Sequence, residues 1–236
     1  MSAIRTVAET GSTNDDVASL AREGAAEGVW LRAERQSGGR GRQGRLWHSP
    51  PGNLYASTLV RLRPGDPPAP TLALVAAVAL HEVASGFVAG RTRVEIKWPN
   101  DLLVAGAKLS GILLERAGEA VVVGFGVNLC DHPDETARPA INIGMLGGAP
   151  DPARFLDALA ASFASWLGRW REEGLEPVRE SWLAAAHPPG TALSTHIAGG
   201  ARVEGRFDGL DESGALRLRL ADGHTQVIHA GDVFLI

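Results

Sequence analysis

An α+β fold is predicted: a mixed, largely antiparallel sheet packed with helices, followed by a small SH3-like β-barrel. Three observations predict it. In the first half, strand-like and helix-like periods alternate irregularly (β, α, β, loop, β, α) rather than as repeated βα units. Beyond residue 94, strand-like segments follow one another through tight turns, as antiparallel neighbours do. Beyond His187-Pro188-Pro189-Gly190, five short strand-like segments fill about fifty residues, separated by glycine and aspartate turns.

Taken in order, Val7–Thr10 reads as a short strand. Ser12 or Thr13 then caps a helix whose first turn carries Asp15 and Asp16, against the positive end of the helix dipole. Val17, Leu20 and Ala21 form its apolar stripe, and Gly24 or Gly28 ends it. Val29–Glu34 alternates as a strand and leads into a loop. Leu54–Arg63 alternates again, with Leu54, Ala56, Thr58, Val60 and Leu62 on one face. Pro64–Pro70 is a turn, and Thr71–Val88 is an alanine-rich helix buried on most sides. Its His81 reads as a core or surface residue rather than a catalyst. Val94–Trp98 is a strand, Leu102–Val104 and Lys108–Glu115 form a hairpin, and Val121–Asn128 adds another strand. Residues 130–150, rich in Asp, Pro and Gly, are irregular. Helices follow from Asp151 to about Glu173 and from Leu175 to Ala186. The last five strands are Thr191–Ile197, Ala201–Leu210, Gly214–Leu220, His224–His229 and Val233–Ile236.

The 236 residues suit one large and one small domain, divided here as 1–187 and 188–236, the second with a core of its own. The net charge of −4 gives no global attraction to nucleic acid or to membranes. The single cysteine, Cys130, excludes an internal disulfide and reads as a small buried hydrophobe. The histidine spacing suggests no transition-metal site built from protein ligands. The N-terminus lacks the apolar region of a secretory signal, and the longest apolar run, Thr71–Leu80, is short for a bilayer. These features together point to the cytoplasm.

One stretch stands apart. Residues 34–53 hold Gly38, Gly39, Gly41, Gly44 and Gly52, with Arg40, Arg42 and Arg45 between them and Trp47 just after. Glycine lets a backbone approach a ligand closely. Arginine presents a fork of donors to carboxylate or phosphate oxygens. An indole offers a flat face to a ring. The loop therefore suits a small anionic molecule carrying a ring. Gly39-x-Gly41-x-x-Gly44 matches the spacing of a dinucleotide fingerprint, but Ser49-Pro50-Pro51-Gly52 leaves no helix to meet a pyrophosphate. Read alone, the segment also suits a basic nucleic-acid arm.

Five elements in series carry a resemblance: Gly11-Ser-Thr-Asn14; Gln36 with Gly39–Arg45 and Trp47; Lys97-Trp-Pro-Asn-Asp101; Lys108-Leu-Ser-Gly-Ile-Leu-Leu-Glu115; and Gly124-Phe-Gly-Val-Asn128. Together they resemble the biotin–protein ligase family, from about residue 9 to the C-terminus. The resemblance implies a class II synthetase-like catalytic domain that joins biotin to ATP as biotinyl-5′-AMP. Biotin then passes to one lysine of a biotin carboxyl carrier protein. It implies that Ser12, Thr13, Asn14, Gln36, Arg40, Gly41, Arg42 and Lys108 bind biotin. It places ATP or the adenylate against Arg40, Arg42, Arg45, Trp47, Asn100, Asp101, Lys108 and Asn128, with Arg42 and Lys108 nearest the reacting groups. Mg²⁺ would be held mainly through phosphates. Lys97 and Trp98 read equally well as plain strand residues.

Only ten residues precede Gly11, so the expectation is a monofunctional ligase without a DNA-binding domain. Paired strand edges would allow a homodimer. The competing readings are a lipoate- or octanoate-protein ligase of the same fold, and a non-catalytic nucleic-acid-binding module built on the barrel and the basic loop. The Gly-Arg loop argues against the first, and the net charge argues against the second.

Overall fold

A computed structural model describes residues 3–90, 92–133, 139–196 and 202–236. Seven strands form the large sheet in the order β1-β2-β3-β7-β6-β5-β4. They are β1 (Ile4–Thr10), β2 (Trp30–Gln36), β3 (Leu54–Arg61), β4 (Val94–Lys97), β5 (Asp101–Val104), β6 (Ala107–Ala117) and β7 (Ala120–Val127). Only β1 and β2 run parallel, joined through α1 (Thr13–Arg22); every other pair is antiparallel. The mixed, largely antiparallel sheet is therefore as expected.

Alternation along each strand gives the sheet two different faces. Trp30, Leu54, Ala56, Val60, Val121, Val123 and Phe125 belong to the main apolar cluster, with α2 (Leu72–Phe87), α3 (Pro152–Glu172) and α4 (Glu176–Ala185). Their neighbours Leu31, Leu59, Ala120 and Val122 meet Val17 and Ala21 of α1 on the other face. Hence β3 is buried on both sides, and its hydrophilic Ser57 lies inside the protein. On the α1 face Gly111 of β6 pairs with Gly126 of β7, leaving a stretch of sheet without side chains. That bare stretch is where a cavity opens.

By length and composition Ala69–Phe87, 19 residues, could cross a membrane, so the Thr71–Leu80 run understated the segment. Its burial fits a core helix: Leu72 and every residue from Leu74 to Leu80 are shielded. His81 Nε2 donates to the Val94 carbonyl at 3.1 Å, a structural role.

The last five strands are β8 (Ala192–His196), β9 (Arg202–Leu210), β10 (Leu216–Arg219), β11 (Thr225–Ile228) and β12 (Val233–Leu235). Ile197 and Ala201, expected at strand ends, fall outside the described residues. The strands form an antiparallel sheet in the order β11-β10-β9-β8-β12, with no ladder joining β11 to β12 among the described residues. The expected separate core is not what forms. Leu193, Phe207, Leu216 and Val233 belong to the same apolar cluster as Trp98 and Trp182. Trp182 and Phe207 have ring centres 6.3 Å apart, and the Trp98 indole donates to the Gly214 carbonyl at 3.2 Å. A sheet this small gains more by laying its apolar face on the larger core than by closing around its own. Cys130 is likewise not buried but exposed, at the edge of the irregular segment after β7.

Candidate active site

The cavity has a volume of about 830 Å³, and every residue expected to bind biotin or the adenylate lines it. It has two ends of different chemistry.

The first end is built where β1 passes into α1. Ser12 sits at the N-cap with extended backbone but makes no capping bond through its side chain, contrary to expectation; it lines the cavity instead. Thr13 donates through its backbone N–H and its hydroxyl to Gln36 Oε1 at 2.9 and 3.2 Å. The Thr13 and Ser57 hydroxyls lie 2.7 Å apart, and Ser57 donates to Asn14 Oδ1 at 2.6 Å. Asn14 Nδ2 donates to Glu115 Oε2 at 2.6 Å. Ser12, Thr13, Asn14 and Ser57 are all buried. Gly124 makes room for this network, since a Cβ there would overlap the Asn14 amide.

The second end is roofed by the arginine loop. Its two limbs are tied by Trp47 N–H to Gly39 O at 2.9 Å and Gly41 N–H to Arg45 O at 2.7 Å. The tip, Arg42–Gly44, is a single 3-10 turn with positive φ at Gln43 and Gly44. Gly39 is required, because a Cβ would lie 2.6 Å from Ser49 Oγ. Arg40 turns toward α1 and donates twice to Asp15, at 2.7 and 2.5 Å, with Glu115 at 3.5 Å. The Asp15 hydrogen bond raises the Arg40 pKa, and its counterpart lowers that of Asp15. Arg42 donates to Asn100 Oδ1 at 3.3 Å and to the Gly231 carbonyl at 3.1 Å. Burial lowers its pKa, Asp101 opposes that shift, and Arg45 adds to it. Trp47 lies over the bare sheet: a Cβ on Gly126 would come within 2.5 Å of its ring. Its Nε1 is buried without a partner, and Lys108 Nζ stands 5.4 Å from the ring centre.

The floor holds a chain of charges. Asp101, deeply buried, meets Lys97 Nζ at 3.0 Å and Lys108 Nζ at 2.8 Å. Burial alone would raise its pKa, but the two ammonium groups outweigh it and hold the carboxyl below the ordinary range. Asn100 and Asn128 are spent on the backbone. Asn100 Nδ2 donates to Ile112 O at 2.7 Å, and Asn128 Nδ2 to Ile141 O at 3.1 Å.

Four participants escaped sequence reading. Lys97 is no plain strand residue: it is 4% exposed and ion-paired, and it donates to Val233 O at 3.1 Å. Ser57 and Glu115 complete the first end. Asp232, from the turn before β12, reaches Arg42 at 3.5 Å and also pairs with Arg45. The lysine in Lys-Trp-Pro-Asn-Asp could have been read as the partner of the aspartate four residues on. Nothing local in the sequence announces Asp232.

The cavity thus gathers Arg40, Arg42, Arg45, Lys97 and Lys108 against the carboxylates Asp101 and Asp232. In a chain of net charge −4 this is a local positive excess. Among the described residues no group of three or more His, Cys, Asp or Glu side chains could hold a metal.

The fold is that of a class of ligases with solved structures. The biotin protein ligase of Aquifex aeolicus, solved in complex with biotin and ATP, superposes with a TM-score of 0.88 over 100% of both chains at 23% identity. That of Leishmania major, solved with biotinyl-5-AMP, gives 0.70 over 97% and 99% at 24% identity. The model of the biotin/lipoate A/B protein ligase family matches residues 10–129, and that of the biotin protein ligase C-terminal domain matches residues 196–236. A biotin–[acetyl-CoA-carboxylase] ligase from Paracoccus denitrificans is 42% identical over 97% of this chain and 98% of its own length. One from Mycobacterium tuberculosis is 36% identical over 96% and 86%. The chain belongs to the biotin/lipoate A/B protein ligase family.

Proposed function

We infer that this chain is an ATP-dependent biotin–protein ligase. The observation that carries the reading is the polarity of the cavity. A buried hydrogen-bonding end suits a neutral ureido ring, and a cationic end suits a carboxylate meeting a triphosphate, both in one volume of about 830 Å³. Ser12, Thr13, Asn14 and Gln36 would hold the ring. Gly41 lets the loop cross the ligand, and Trp47 would lie against the adenine, with Asn100, Asp101 and Asn128 shaping the nucleotide side. Arg40 anchors the loop to α1 through Asp15.

The biotin carboxylate attacks the α-phosphorus of ATP, a P–O bond breaks, and pyrophosphate leaves. Arg42 and Lys108 offset the charge gathering on the phosphate oxygens, supported by Arg45. A carrier lysine amine then attacks the acyl carbon of biotinyl-5′-AMP; AMP leaves and an amide forms. Asp101 and Asp232 already face cations, so Mg²⁺ would be held mainly through the nucleotide and would add to the neutralisation of phosphate charge.

The acceptor is a biotin carboxyl carrier protein. Residues 1–187 form the catalytic unit and 188–236 its companion, and the protein works in the cytoplasm without a role on DNA. Homodimerisation through a strand edge is part of the reading, and sedimentation velocity tests it. The decisive assay mixes the protein, ATP and Mg²⁺ with biotin, lipoate or octanoate. Pyrophosphate release and an adenylate mass with biotin alone are expected. Release with lipoate or octanoate instead would move the chain to the other branch of its family.

A further inference from the structure

Three consecutive residues at the turn into β12 are plugged into the charged end of the cavity. The Gly231 carbonyl accepts both Arg42 amino groups at 3.1 Å. The Asp232 carboxylate takes Arg42 at 3.5 Å and pairs with Arg45. The Val233 carbonyl accepts from Lys97 at 3.1 Å, and Lys97 pairs with Asp101. Asp232 is only 14% exposed on its side chain, so the pair is not an ordinary screened surface bridge. The turn that carries it is also fixed. A Cβ on Gly231 would lie 2.8 Å from Thr195 Oγ1 and 3.1 Å from the His196 carbonyl, so the backbone is packed against β8.

The loop it meets has little else to hold its tip. Gln43, Gly44, Arg45 and Leu46 are exposed, Leu46 at 81%. Two limb bonds close the hairpin, but they do not fix where the hairpin lies. Its base is held by the Gly38 N–H on the Gly11 carbonyl at 2.8 Å, by Trp47 against Gly126 and by Arg40 on Asp15; its tip is held by Arg42 and Arg45 on residues 231–232.

We propose that Asp232 is a positioning residue: a latch by which the C-terminal sheet holds the arginine loop over the cavity before substrate arrives. The two guanidiniums are thereby set beside Asn100 and the Lys97–Asp101–Lys108 chain, so an incoming phosphate meets cations already in place. The inference rests on the proposed ATP-dependent reaction only for its kinetic part.

The test uses the full chain. Hydrogen exchange of residues 38–45 in ligand-free protein should quicken about tenfold in Asp232→Asn, the loss of one charge-assisted contact, and return most of the way in Asp232→Glu. Exchange of residues 54–61 in β3 should stay as in wild type. If Asp232→Asn loosens β3 as well, Arg45→Gln removes the same pair from the exposed side, and the exchange of residues 38–45 should quicken in the same way. In pyrophosphate release, the KM for ATP should rise about tenfold while kcat changes less than about threefold. Unchanged loop exchange overturns the latch, and so does a KM for ATP that stays the same or falls, as it would if Asp232 merely competed with phosphate. A wild-type protein that releases no pyrophosphate would overturn the ligase reading instead, and the exchange result would still decide the latch.

Discussion

At one end of the cavity Thr13, Asn14, Gln36 and Ser57 are buried and hydrogen-bonded to one another across α1, β2 and β3. At the other, Arg42 and Arg45 are held by ion pairs from a different part of the chain. The first end is fixed by packing and by hydrogen bonds among its own buried side chains. The second is fixed by charge, through ion pairs that join segments far apart in the chain. On the proposed reading, neutral recognition rests on a packed network and anion chemistry on ion-paired groups.

The sharpest way to break this division is Lys108→Ala. It removes one of the two cations on Asp101 and the ammonium proposed to face the reacting phosphate. Biotin-dependent pyrophosphate release should fall about 10²–10³-fold, the range for one electrostatic contact made in a transition state. The Kd for biotin should move less than about tenfold. Equal losses in both would merge the two ends into one.

Arg42→Gly comes next. It removes the contacts to Asn100 and Gly231 and adds backbone freedom to a glycine-rich loop. A guanidinium on the adenylate phosphate slows escape of that reactive anhydride, so retention should fall about ten- to a hundredfold. Blotting for biotin on an unrelated protein should show new labelling. A variant that binds biotin normally and labels nothing new would show that another residue holds the intermediate.

Ser57→Ala probes the packed end. Ser57 is fully buried and bonds both Asn14 and Thr13. Leaving those groups short of a partner should cost about 1–3 kcal/mol of stability. Biotin should bind more weakly, with the KM for ATP unchanged. A shift in KM for ATP would show that the ends are coupled.

The smallest effect lies where the two units join. His187 is buried with Nδ1 3.3 Å from Glu95. Burial pushes its pKa below the usual histidine range, although Glu95 opposes the shift. The folded state resists the proton more than the unfolded chain does, so this contribution is intact above about pH 6.5 and is lost as pH falls through the folded pKa. The Tm of wild type should drop between about pH 7.5 and 5.5, and His187→Gln should flatten that slope. Parallel slopes would place the pH dependence elsewhere.

Much of this was legible in the sequence, for physical reasons. Arg42 sits in a glycine–arginine loop whose composition suits no packed core, Ser12, Lys108 and Asn128 stand in motifs that carry the family resemblance, and all four line one cavity. The sheet was legible because strand periods and tight turns are local. What escaped was set by register and by distance along the chain. Glu115 matters because β6 and α1 bring it to Asn14, and Asp232 because the C-terminal turn folds back onto Arg42. Ser57 looked like ordinary alternation in a strand until both faces of β3 proved to be covered. Cys130 was read from the residue type's average, and its position after β7 leaves it outside.

The shared apolar cluster bears on how such chains can be recombined. Gly214 carries its φ of 83° hard against Leu74: a Cβ there would lie 2.7 Å from the leucine methyl. Trp98 and Trp182 likewise complete their surroundings with residues past 190. A swap of residues 188–236 between relatives at the Pro-Pro-Gly joint would cut through this packing. The heritable module is instead the C-terminal sheet together with Leu74, Lys97, Trp98 and Trp182, and chimeras that transplant those positions with it should fold where a cut at the joint alone does not.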